Sequence, residues 1–170
     1  MGARVTLLLL ALGGLIGCNT VEEPAQGGGP TSVRQLLASQ HCGSATIAQA
    51  TWLTDASAFR SQWSRMHAGL VEPPAEPKLD FTRDAVLLLE MGSRPTAGFG
   101  LRLAATQLIH DGDLQVVSIE WREPPPGSMA AQVLTSPCLV LALPAAMHGR
   151  IEVRDQDGDA RFALGPRPIE

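Results

Sequence analysis

Apolar and polar positions divide this chain into an uncharged run, a polar gap, one helical stripe and a series of strands. The run is Val5–Gly17, and the gap is Asn19–Thr31, with Glu22-Glu23-Pro24 and Gly27-Gly28-Gly29-Pro30. Val33–Leu37 and Ala45–Leu53 read as weak strands. Phe59, Trp63, Met66 and Leu70 then recur at spacings of four, three and four, which places them on one face of a helix. Thr54 or Asp55 can cap it, and the Pro-rich stretch Val71–Pro77 ends it. From there the pattern is β. Ala85–Leu89 is continuously apolar, as in a central strand. Phe99–Leu103 alternates, and Leu108 and Ile109 extend that region. The His110–Asp113 turn leads into Leu114–Trp121, because Asp-Gly accepts the positive φ angles of tight hairpins. A long loop, Glu123–Thr135, precedes a strand at Cys138–Leu143. Ile151–Val153 and Arg161–Leu164 read as a last hairpin across Asp155–Asp159. The expected fold is α+β, one amphipathic helix packed on a mainly antiparallel β-sheet.

The first segment has a separate meaning. One positive charge at Arg4 followed by thirteen uncharged, mostly apolar residues is the pattern of a secretory signal. The run is short for a spanning helix, which needs about 20 residues. It ends Leu15-Ile16-Gly17-Cys18, which resembles the bacterial lipobox. That resemblance implies cleavage before Cys18 and acylation of its thiol; the alternative is an ordinary signal that happens to contain a cysteine. Residues 1–17 are then the lipoprotein signal peptide, 18–31 a lipidated tether and 32–170 a single globular domain. As a flexible coil the tether's ends lie roughly 20 Å apart. Asn19, rather than aspartate, beside the acylated cysteine implies outer-membrane placement in a Gram-negative envelope.

Charge narrows the partners. Without Arg4 the chain carries twelve basic against seventeen acidic residues, so neither nucleic acid nor an anionic lipid surface is expected as a ligand. The acyl chains at Cys18 are the expected route to a membrane. With Cys18 acylated, Cys42 and Cys138 remain, an even pair in an oxidising compartment. They read as a disulfide, with two buried thiols as the alternative.

Catalytic chemistry finds no constellation. Gly-x-Ser-x-Gly, a phosphate-cradling glycine loop and His-Glu-x-x-His are all absent. His41 and Cys42 are neighbours, and neighbours in a strand point to opposite faces, so they do not make a base and nucleophile. His67, His110 and His148 read as exposed or capping residues. Asp155-Gln156-Asp157-Gly158-Asp159 lacks the glutamate a calcium loop needs at its twelfth position, where Pro166 stands, and reads as a solvated turn. No catalytic residue, metal site or cofactor is expected.

Gly92-Ser93-Arg94-Pro95-Thr96-Ala97-Gly98-Phe99 is the unusual element. Two glycines and a proline between strongly apolar strands suit a loop of fixed shape that presents backbone to a partner. An ordinary turn is the alternative. Lys78-Leu79-Asp80-Phe81, this loop, a Trp-ended strand, a proline-rich stretch and Thr135-Ser136-Pro137-Cys138 follow one another in an order that resembles the C-terminal domain of the PrcB-like protease-complex-stability family. The resemblance spans about residues 46–144. It implies a non-catalytic envelope lipoprotein that binds and stabilises a partner, a protease or another surface protein. Arg94, Pro95, Thr96, Ala97, Gly98 and Phe99 are the expected partner-binding residues. The same six are similar to the Asn-Pro-Thr-Thr-Gly-[Phe/Tyr] loop of chagasin-type inhibitors, which implies protease inhibition as the alternative function. Arg94 and Ala97 depart from that pattern.

Overall fold

A computed structural model describes residues 32–42 and 45–168; the signal and tether segments and Cys18 lie outside the described residues. The chain forms β1 (Arg34–Ser39), β2 (Gln49–Leu53), α1 (Ala56–Met66), β3 (Asp84–Glu90), β4 (Gly100–Leu103), β5 (Ile109–Asp111), β6 (Leu114–Arg122), β7 (Cys138–Pro144), β8 (Arg150–Arg154) and β9 (Ala160–Leu164). This is the expected α+β fold, with the strands divided between two sheets. The first runs β1-β7-β3-β2 and is antiparallel throughout. The second runs β4-β6-β8-β9, with β5 also on β6.

The apolar runs of β3 and β7 sit at the centre because they are buried on both faces. Successive side chains point to opposite sides of a strand. Leu87 and Leu89 of β3 and Leu139, Leu141 and Leu143 of β7 therefore face the second sheet, meeting Val117, Ile119, Trp121 and Val153. Val86 and Leu88, with Cys138 and Val140, face the other way and meet Phe59, Trp63 and Met66 of α1. The result is three layers: helix, sheet, sheet.

The helix begins where Asp55 accepts hydrogen bonds from the Ser57 and Ala58 amides at 2.7 and 2.9 Å. It ends at Met66, one turn before the fourth residue of the predicted stripe. Leu70 lies outside it and is exposed, because His67 caps the last turn, its ring nitrogen bonded to the Trp63 carbonyl at 2.8 Å. The strand expected from Ala45 starts only at Gln49, where pairing with β3 begins.

Two features correct or sharpen the sequence expectations. The pair β6 and β8 is parallel, since β7 crosses to the first sheet between them. Asp155, expected in a solvated turn, is buried. Burial by itself raises its pKa. The hydrogen bond from Arg161 at 2.6 Å, those from the Asp159 and Asp157 amides, both at 2.9 Å, and the Arg161 charge outweigh that and hold it below the usual carboxylate value. Arg161 in turn lies over Trp121, 5.0 Å from the ring centre. The turn closes on its own carboxylate and pins the end of the second sheet.

Cys42 and Cys138 form a disulfide with Cα atoms 5.5 Å apart, across 96 residues. It joins the end of β1 to the start of β7 and is walled in by the helix-side core. No helix among the described residues is long and apolar enough to cross a membrane.

Replacing both cysteines with alanine is expected to lower stability by about 2–5 kcal/mol, the usual range for a native bridge. Urea denaturation measures it, and an unchanged midpoint would show that the bridge adds nothing. Asp155→Asn tests the buried carboxylate. A group whose folded pKa lies below its unfolded value of about 3.9 contributes stability in full well above that pH and loses it as pH falls through the folded pKa. The variant should be less stable than the native chain at pH 7, and the gap should start to narrow only as pH falls below about 4. Equal midpoints at neutral pH would contradict this.

Candidate functional site

The loop after β3 is held from both ends. Met91 is buried, and its amide donates to the Pro137 carbonyl at 2.9 Å. Gly92 has φ +80°, and a Cβ there would stand 2.6 Å from the backbone carbonyl carbon of Ile47. Only glycine fits that approach. Arg94 then pairs with Thr135 in both directions, its amide donating at 2.8 Å and its carbonyl accepting at 2.9 Å. The Thr135 hydroxyl donates to the Thr96 carbonyl at 3.2 Å, and the Ala97 amide donates to the Ala131 carbonyl at 3.0 Å. Gly98, at φ +102°, passes close to Pro124.

The six residues singled out in the sequence are thus one rigid unit backed by residues 124–135. Their side chains divide the work. The Arg94 guanidinium lies 5.4 Å over the Phe99 ring, a cation–π arrangement. Phe99 is half-buried and packs on the core between the sheets. Phe99 therefore anchors the loop to the domain, and Arg94, itself half-buried with its Nε enclosed and unbonded, covers it. Pro95 is exposed at the tip, while Thr96 and Ala97 are half-buried and tied down through their backbone.

The exposed apolar surface comes from elsewhere. Among the described residues, four of the seven exposed large hydrophobic side chains lie on segments that touch this loop. They are Ile47, whose backbone abuts Gly92, and Met129, Val133 and Leu134 from the β6–β7 connection. Met129 is fully exposed and Leu134 is 70 % exposed. Met129 lines a shallow cleft of about 490 Å³ with Ala97, Gly98, Pro124, Pro125 and Ser128. Large apolar side chains left exposed on neighbouring segments make this the candidate surface. The sequence pattern gives Glu123–Thr135 only as a long loop, because isolated apolar residues among prolines and glycine carry no periodic signal. The available clue was that Met129, Val133 and Leu134 are large hydrophobics with no element to bury them.

The titratable groups do not converge. Among the described residues no three His, Cys, Asp or Glu side chains stand close enough to hold a metal ion. Asp80, exposed in the turn before β3, has its pKa lowered by the Thr82 hydroxyl first and the Thr82 amide second, which makes it a turn-forming residue.

Neither a curated protein nor a solved structure matches the chain. The family comparison falls on the part that carries the site. It begins at Ala85, so β2 and α1, which the sequence resemblance takes in, lie outside it. Residues 85–144, from β3 to β7 and including both the 92–99 loop and the segment that backs it, match the family model described as PrcB C-terminal.

Proposed function

We propose that this protein is a non-catalytic lipoprotein of the bacterial envelope, anchored through Cys18, that binds and stabilises a partner protein. The partner class is a protease or another surface protein, and the placement is the outer membrane. The observation that carries the reading is the apolar collar of Ile47, Met129, Val133 and Leu134 around a loop made rigid by backbone pairing. A preformed surface loses little conformational freedom on binding, so its apolar contacts translate into affinity. The match of residues 85–144 to the PrcB C-terminal family supports the protease-complex association. The lipobox-like Leu15–Cys18 and the polar tether supply the anchor.

Residues 94–98 remain the expected contacts, with Phe99 holding them in place from the core and Met129 and Leu134 beside them. Metabolic labelling with a fatty acid tests the anchor: native chain should take up label and Cys18→Ala should not. Label retained in that variant would overturn the lipid assignment.

Purification of the tagged chain from detergent-solubilised membranes tests the partner. A stoichiometric protein should copurify and lose stability when the chain is deleted. Met129→Asp with Leu134→Asp should weaken that complex by about 2 kcal/mol or more, a factor near thirty, with an unchanged unfolding midpoint. Phe99→Ala should instead cost about 3 kcal/mol of stability, as a lost core aromatic. An intact complex with both aspartates in place would remove this surface from the reading. Nanomolar inhibition of a protease by the native chain, without a stabilised partner, would replace it with the inhibitor function.

A further inference from the structure

The edges of the two sheets meet at a seam that is closed at one end and open at the other. β1 is hydrogen-bonded on one side to β7, and β4 on one side to β6. Their other edges face each other in antiparallel sense. The Val33 amide donates to the Thr106 carbonyl at 2.7 Å, and Ser32 bridges Gln107. One step on, the Gln35 side-chain carbonyl accepts from the Leu103 amide at 3.0 Å. The register of β1 then slips between Gln35 and Leu37. A slip of this kind bends a strand away from its neighbour. Beyond it the edges part and leave a cleft of about 240 Å³ between 38–40 and 100–102.

The alternation of β4 decides what that cleft offers. The Ala104 amide donates to the Ser118 carbonyl, so the even-numbered residues of β4 bond to β6. The odd-numbered Leu101 and Leu103 therefore turn their N–H and C=O toward the seam. Gln35 meets Leu103. At Leu101 no hydrogen bond crosses the seam among the described residues. An edge with free N–H and C=O groups is a template for another strand.

Chemistry beside it selects the occupant. Gly100 puts no side chain over the edge, the arrangement found where a second backbone comes close. Its cross-strand neighbour is Arg122, whose guanidinium would lie 3.3 Å from a Cβ at position 100. Arg122 is exposed and makes no ion pair among the described residues. Arg102 has Glu120 opposite; Arg122 has only glycine. Arg102, Arg122 and Glu120 line the cleft together, so it carries one excess positive charge next to an open strand edge. Arg122 also lines the Met129 cleft, so the two clefts share that residue.

We propose that the open end of the β1–β4 seam takes an extended segment of the partner, added as a strand to β4 at Leu101 with a carboxylate of that segment on Arg122. The proposal rests on the partner-binding reading and names how the partner is held.

Selection of random twelve-residue peptides displayed on phage, against the full-length chain, tests it. Enriched sequences should share an aspartate or glutamate among β-branched residues. The best synthetic peptide should lose at least tenfold in affinity on Arg122→Glu and on N-methylation of one of its own backbone amides. Lys78→Glu, an equal charge change at an exposed site outside the seam, should leave its affinity unchanged. The absence of enrichment, enrichment without an acidic residue, or equal loss with Lys78→Glu would overturn the seam proposal. A copurifying partner that survives Arg122→Glu would overturn it too, while leaving the partner reading standing; loss of that partner from the native chain would defeat the partner reading instead.

Discussion

The pairing of β3 with β7 is the constraint on which the rest depends. Seven residue pairs, from Asp84–Pro144 to Glu90–Cys138, bring two strands with fully buried interiors together. Each face of this ladder is a core. The odd-numbered leucines hold the second sheet and the even-numbered residues of β3 hold the helix. At about 25 cal/mol per Å² of apolar surface, burial on both faces of one ladder outweighs any single turn or ion pair in the molecule. The disulfide sits at the end of the same ladder, where Cys138 pairs with Glu90.

The candidate surface is a consequence of where that ladder stops. β3 ends at Glu90 and β7 begins at Cys138, so the chain leaving one and the chain entering the other emerge side by side. Arg94 and Thr135 continue the pairing for one more bridge. The loop therefore inherits the rigidity of the core without being part of it. Its apolar collar stays exposed because the β6–β7 connection has no strand or helix of its own between Glu123 and Thr135 to turn those side chains inward.

The free edge of β1 is covered at its start by Thr106 and Gln107 and then released by the register slip. An edge that was a hazard along its whole length would be blocked along its whole length. Here the closed end sets the spacing of the open one, and the arginine stands only at the open end.

Local pattern was enough to find most elements, because a strand or helix writes its period into contiguous residues. The apolar runs of β3 and β7, a cap at Thr54 or Asp55, the Phe59–Trp63–Met66 stripe and the hairpins were legible for that reason, and so was the unusual composition of 92–99. The parity of thiols pointed to Cys42 and Cys138, although only the fold could set their Cα atoms 5.5 Å apart. Tertiary structure alone decided the division into two sheets, the parallel β6–β8 pair and the end of the helix before Leu70. It also decided that Asp155 is buried under Arg161, that Phe99 serves the core, and that Met129 and Leu134 stand beside a loop thirty or more residues away in the chain. These depend on contacts between distant residues, and a contact between distant residues leaves no period in either segment.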